Sequence, residues 1–239
     1  VEWFRRWFNE DYLALYSGRD QSEADLQVEF LLSLLGSEAL ASRRFCDLAC
    51  GSGRHLASLV ERGANAYGID LSETLLQSAN PQLFGRLIRA DLRSLPFRSA
   101  SFDVLTSFFT SFGYFDTLSE HQAVLLAWGR MLNPGGLLFM DLPNRARVIS
   151  ELVASELRDQ VKIERSIVET ADGTRVTKKI AFLTPDSNKD YSESVFLFSK
   201  ETIESLLRQA GFAEIDLYGE LDGSDFSANS SRMYILGRK

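Results

Sequence analysis

The run Asp47-Leu48-Ala49-Cys50-Gly51-Ser52-Gly53 constrains this chain most, because it follows a short apolar segment and precedes an amphipathic one. A buried strand that hands over to a helix through two glycines is the building unit of open α/β sheets, which bind their ligands at the carboxyl ends of the strands. The same alternation continues over residues 43–142. Strands are expected at 43–49, 64–71, 87–90, 102–109 and 137–142, with helices at 54–62, from 73 to a stop before Pro81, and at 119–132. Gly63 ends the first of these helices and Ser72 caps the second. Asn133-Pro134-Gly135-Gly136 reads as a breaker between the last helix and the fifth strand.

Beyond Pro143 the pattern changes. Segments 161–169, 174–183 and 191–198 read as strands with an Asp172-Gly173 hairpin turn, so residues 144–199 are expected to form an inserted antiparallel ribbon that caps the substrate. A helix at 200–209 and strands at 213–218 and 232–237 return the chain to the first unit. Residues 41–143 and 200–239 are thus assigned to one core. Residues 1–40 are assigned to an N-terminal helical lid, where Trp3, Phe4, Trp7, Phe8, Tyr12, Leu15 and Tyr16 recur at helical spacing. That aromatic face either buries itself against the domain or closes over a ligand.

Composition narrows the function classes. Against 26 Lys and Arg stand 33 Asp and Glu, a net charge of −7, which offers no favourable background potential to a nucleic acid. The longest apolar runs fall well short of a membrane span. The first residues, Val1-Glu2-Trp3-Phe4-Arg5-Arg6, lack the apolar core of a signal peptide. Two cysteines, Cys46 and Cys50, with no further ligands at zinc-site spacing, point to no metal, no disulfide and a reducing cytoplasm. Nothing chooses between monomer and homodimer.

The glycine loop alone is not specific. A dinucleotide fingerprint needs a third glycine where Leu56 stands, and no Gly-Lys-Ser/Thr follows to make a phosphate loop. Asp70 and Asp91, however, end the second and third strands, and a strand-end carboxylate can accept from both hydroxyls of a ribose.

With these elements the chain resembles the class I S-adenosylmethionine-dependent methyltransferases. The matching stretches are the glycine loop, Gly68-Ile69-Asp70-Leu71-Ser72, Arg89-Ala90-Asp91-Leu92, Phe102-Asp103-Val104 and Leu132-Asn133-Pro134-Gly135-Gly136, which together span about residues 40–143. The resemblance implies a Rossmann-like sheet of strand order 3-2-1-4-5-7-6 with strand 7 antiparallel. It implies S-adenosylmethionine as cofactor and S-adenosylhomocysteine as product. Gly51 and Gly53 would pass beneath the methionine part and Asp47 would support that loop. Asp70 would hold the ribose hydroxyls and Asp91 the adenine amino group, with Leu71 and Leu92 lining the adenine slot.

A narrower resemblance, carried by Phe108-Phe109-Thr110-Ser111-Phe112-Gly113-Tyr114-Phe115, residues 12–25 and the ribbon, is to the sugar-amine and glycine N-methyltransferases. It implies an acceptor pocket that includes Tyr12, Tyr16, Phe109 and Tyr114, with Tyr114 orienting the acceptor or taking its proton. His55 or Asp116 could also accept the proton, directly or through water, while His55 and His121 suit helix first turns and neither is assigned to catalysis. The expected reaction is methyl transfer to the nitrogen or oxygen of a small polar metabolite. A protein or RNA acceptor, or a cofactor-binding module without turnover, are the alternatives.

Overall fold

The computed structural model describes residues 2–36, 40–184 and 187–239. Among these, two sheets form. The larger takes its parallel strands from β1 (Arg44–Leu48), β2 (Asn65–Asp70), β3 (Leu87–Arg89), β4 (Phe102–Ser107) and β5 (Leu132–Pro143). β10 (Glu214–Tyr218) and β11 (Arg232–Arg238) complete it, in the spatial order β10-β11-β5-β4-β1-β2-β3. β11 runs antiparallel to β5 and pairs Met233 with Leu142, as the resemblance implies for the seventh strand.

Helices cover both faces, so the central strands are apolar without alternation. On one face α3 (Gln21–Leu35) and α4 (Arg54–Glu61) bury Val28, Leu31, Leu56 and Leu59 against Phe45 and Phe139. On the other, α6 (Leu118–Met131) and α8 (Lys200–Gln209) bury Trp128, Ile203 and Leu207 against Leu105 and Met140. Local signals set the ends. Thr117 and Glu120 form a reciprocal capping box at α6, and Ser72 caps α5 (Glu73–Gln77).

The second sheet is formed by β6 (Ser155–Arg158), β7 (Val161–Thr170), β8 (Gly173–Thr184) and β9 (Ser187–Phe196), antiparallel throughout. Its inner face packs Val161, Ile163 and Ile180 against Trp7. It is tied to the segment after β4, where the Phe196 amide donates to the Gly113 carbonyl at 2.7 Å and buried Arg175 donates to the Phe115 carbonyl at 2.8 Å. Gly113 has φ +112°, and a Cβ there would approach the Phe196 carbonyl oxygen to 3.0 Å, so the close seam needs glycine.

Four expectations change. The 144–199 insertion is more than a ribbon, because it opens with a helix, α7 (Arg145–Ser150), and carries β6 as a further edge strand. The Asn133-Pro134-Gly135-Gly136 breaker lies inside β5. Phe102 faces Leu132 and Val104 faces Leu137, so the intervening residues loop out as a bulge, which Lys239 closes by exchanging backbone bonds with Gly135 and Gly136. The N-terminal aromatic stretch is two short helices, α1 (Trp3–Trp7) and α2 (Glu10–Leu15), because Asn9 turns the chain and caps the second. The described part of the expected N-terminal lid divides between two layers: α1 and α2 lie against the second sheet, whereas α3 packs on the core.

Candidate functional site

The carboxyl ends of β1, β2 and β3, with α1 and α2 across them, enclose a cavity of about 570 Å³. Of the residues singled out in the sequence, Asp47, Gly51, Asp70, Leu71, Asp91, Leu92, Tyr12, Tyr16, Phe109 and Tyr114 all line it. Gly53 does not. It caps α4 with φ +81°, and a Cβ there would stand 2.5 Å from the Leu83 Cδ1 atom, so its task is to bring the loop onto the helix. Since Leu83 is buried and cannot swing away, Gly53→Ala is expected to cost about 2 kcal/mol and to lower Tm by roughly 4–8 °C in a thermal melt.

The loop is held by Asp70 rather than by Asp47. Asp70 accepts from the Gly51 amide through one carboxylate oxygen and from the Ser72 amide through the other, both at 2.8 Å. Burial raises the Asp70 pKa even against these donors. Asp47 accepts instead from the Thr106 hydroxyl at 2.8 Å, on the neighbouring β4, and its second oxygen is buried without a partner. Burial, with Asp70 nearby, pushes the Asp47 pKa up to about 7.

Asp91 behaves oppositely. The Arg93 guanidinium holds it below the usual carboxylate range. One oxygen accepts from the Arg93 amide and Nε, and the other from Arg93 and from Arg5 of α1, each at 2.7 Å. All of the roughly four acceptor positions of a carboxylate are engaged, so an adenine amino group reaches Asp91 only as Arg5 moves aside.

The smaller cavity, about 220 Å³, lies between α1, the segment after β4 and the second sheet. It shares Phe8, Tyr12, Arg19, Phe109 and Tyr114 with the larger one and adds Lys178 and Glu193 from β8 and β9. Tyr114 packs between Trp3, Phe4 and Phe8, with ring centroids 4.8–6.2 Å away, and burial raises its pKa well above the ordinary phenol. A phenolate base is thereby disfavoured, and the hydroxyl stays neutral.

Of the other proton acceptors, His55 lines the larger cavity but is already engaged, and Asp116 and His121 lie outside both cavities. The His55 Nε2 atom is engaged by Gln27 at 2.6 Å and its ring stacks on Phe108, with burial lowering its pKa to about 3. Asp116 is exposed and lines neither cavity. His121 lies buried among Phe112, Phe115, Phe196 and Phe198 on the far side of the segment. Cys46 and Cys50 are unpaired, and no cluster of three or more metal-ligating side chains occurs among the described residues. No helix among them is long and apolar enough to cross a membrane.

Several features of the site were not expected from sequence, among them the backbone conformation of Phe109, itself an expected pocket residue. Phe109 and Thr110 both have positive φ, 55° and 65°, although neither is glycine or asparagine. They are held by buried Asp141, which accepts from the Phe109 amide at 2.9 Å, and by Arg232, which bridges Asp141 to the Thr110 hydroxyl at 2.7 Å to each. Asp141 lies near the end of β5, as Asp70 ends β2, so the rule that finds one carboxylate finds the other. No local pattern marks Arg19, Lys178 or Glu193.

Comparison with known proteins bears on the family. Residues 46–140 match a family model described as a methyltransferase domain. The chain is 30% identical over 185 residues to a demethylmenaquinone methyltransferase of Clavibacter sepedonicus, covering 74% of this chain and 68% of that one. It is 26% identical over 208 residues to the dTDP-3-amino-3,4,6-trideoxy-alpha-D-glucopyranose N,N-dimethyltransferase of Streptomyces venezuelae, covering 84% of each. Among solved structures, an S-adenosylmethionine-dependent methyltransferase from Clostridium acetobutylicum superposes with a TM-score of 0.74 at 19% identity, over 95% of this chain and 94% of the other. Sheet order, glycine loop, strand-end carboxylates and relatives converge, and the chain belongs to the class I S-adenosylmethionine-dependent methyltransferases.

Proposed function

We propose that the protein methylates a small polar metabolite, at an amine nitrogen in preference to an oxygen, and does so in the cytoplasm. The observation that carries this reading is the 220 Å³ cavity, which shares a wall with the cofactor-sized one and lies under α1 and the second sheet. So small a space suits a metabolite or part of one, and not the surface of a folded RNA or protein. The sugar N,N-dimethyltransferase relative supports an amine acceptor, and two unpaired buried thiols support a reducing compartment.

The buried, unpartnered Asp47 oxygen fits S-adenosylmethionine, whose ammonium group offers the missing donor. When bound, the cofactor supplies an electrophilic methyl group, which leaves the chain to align donor and acceptor and to exclude water. Asp47 would hold the methionine end and Asp70 the ribose, with Leu71 and Leu92 flanking the adenine. Trp3, Phe8 and Phe109 keep the acceptor side dry, and the Tyr114 hydroxyl orients the attacking atom.

A pH dependence follows from Asp47. With a folded pKa of about 7, raised above its ordinary 3.8, it carries a proton at acid pH and has no charge to offer an ammonium group. Affinity for S-adenosylhomocysteine is expected to rise with pH up to about 7, by at most about tenfold per unit, and then to level off. Without cofactor the linkage runs the other way: the native state binds the extra proton, so this contribution to stability is present below about pH 4 and is lost as pH rises through about 7. Calorimetric titrations between pH 5 and 8 check both. Asp47→Asn should flatten the two slopes.

Tyr114→Phe is expected to leave cofactor affinity and melting nearly unchanged while lowering turnover only a few-fold, since a neutral phenol orients but does not take the proton. A loss on the order of 10²-fold would restore a proton-transfer role. The function itself is tested by incubating the protein with S-adenosylmethionine and pooled small amines. S-adenosylhomocysteine should appear with a singly or doubly methylated amine, whereas methylation confined to added protein or RNA would overturn the small-molecule reading.

A further inference from the structure

Among the cations that line the two cavities, Arg19 stands apart. Arg5 pairs with Glu2 and Asp91, Arg89 with Glu73, Lys178 with Glu193 at 2.6 Å, and Arg54 with Glu23 at 3.8 Å. Arg19 has no carboxylate within 4.0 Å among the described residues. Its guanidinium lies over the rings of Tyr16, Phe109 and Tyr12 at 4.3, 4.6 and 5.0 Å and donates to the Tyr12 hydroxyl.

The surroundings add positive charge instead of cancelling it. Arg54 and Arg232 also approach the Phe109 ring, at 5.6 and 5.8 Å, and of the three guanidinium groups only Arg232 has a buried carboxylate, Asp141. Cation–π contacts return about 0.5–2 kcal/mol, less than a half-buried cation loses in hydration and in repulsion by a like charge. An anion at this point would offset both costs, and a guanidinium fork presents paired donors to a carboxylate or phosphate.

Arg19 lies where the two cavities share a wall, whereas Arg54, the first residue of α4, lines only the larger one. The pair Lys178 and Glu193 adds no net charge to the smaller cavity, so an entering molecule meets the single positive charge of Arg19. We propose that Arg19 is the anion-recognition residue of the acceptor subsite, so that the acceptor carries a carboxylate or a phosphate close to the nitrogen or oxygen that is methylated. This inference rests on the small-molecule reading and deepens it.

The test needs no knowledge of the natural acceptor. Protein saturated with S-adenosylhomocysteine is titrated calorimetrically with matched pairs: glycine against glycinamide, benzoate against benzamide, and glycerol phosphate against glycerol. At least one anionic member should bind at least about tenfold more tightly than its neutral partner, and which pair discriminates separates carboxylate from phosphate. Arg19→Gln should reduce that ratio to within about twofold while holding S-adenosylhomocysteine affinity within about twofold. Arg19→Lys should keep part of the preference, which separates loss of charge from local disorder of α2. No anion preference in the native protein, or a preference untouched by Arg19→Gln, would overturn the proposal. So would a fall in S-adenosylhomocysteine affinity that matches the loss of anion binding, because Arg19 would then serve the cofactor. Failure of S-adenosylhomocysteine to bind at all would instead overturn the functional reading on which the inference stands.

Discussion

Asp70→Ala is expected to weaken binding of S-adenosylmethionine by roughly 10²-fold or more, because two hydrogen bonds to a carboxylate, each worth about 1.5–3 kcal/mol, are lost together. The bonds are those from the Gly51 and Ser72 amides, so the substitution frees the glycine loop and the start of α5 before any ribose contact is counted. Asp70→Asn should fall between, since the amide oxygen keeps one of these donors while its NH₂ group faces the other. The asparagine has a second effect. Asp70 is one of the causes that raise the pKa of Asp47, so the midpoint in the pH profile of cofactor binding should move below about 7 in Asp70→Asn. Calorimetry on the three proteins decides the matter: an alanine variant that stays folded and binds as tightly as the native protein would leave Asp70 without a part in the site.

The parallel core is legible in the sequence because burial on both faces leaves little freedom. Phe45, Cys46, Asp47 and Leu48 are all buried, and a run with no solvent-facing side has to be a central strand. The helix at 200–209 is legible for the opposite reason, a sharp division of apolar and charged faces between Ser199 and Gly211. α7 escapes notice because six residues carry too little periodicity, and its cap is set by tertiary contacts: the Asn144 amide donates to the carbonyls of Ser227, Ala228 and Ser230, more than eighty positions away. The same distinction divides the site. The strand-end carboxylates Asp70 and Asp91 can be found by position, whereas Lys178 and Glu193 reach Tyr16 and Trp7 only because β8 and β9 fold back onto the N-terminal helices. Composition also gives no hint that Phe109 and Thr110 take left-handed conformations, since the reason lies in partners at 141 and 232.

Those partners lead to the largest stability effect. Arg232→Leu leaves Asp141, which is fully buried, without the guanidinium that faces it at 2.7 Å. Removing one member of a buried pair costs about 3–5 kcal/mol, so Tm should fall by roughly 10 °C. The Arg232→Leu/Asp141→Leu double variant removes the stranded charge and should recover part of that loss. It should not recover methyl transfer. The Phe109 amide then has no carboxylate acceptor and the Thr110 hydroxyl no donor, so of the bonds that hold two non-glycine residues at φ 55° and 65° only that from the Thr110 amide to the backbone carbonyl of residue 141 remains. Relaxation of these residues would move the Phe109 ring away from Arg19 and reshape the wall shared by the two cavities. If cofactor affinity rests on Asp47, Asp70 and the glycine loop, as proposed, it should change little in the double variant. Thermal melting and cofactor titration, measured beside turnover, separate the two roles: a double variant as stable as Arg232→Leu alone would show that the charge pair was not the source of the loss. One with full turnover would show that the left-handed conformation of Phe109 and Thr110 is not needed for the acceptor.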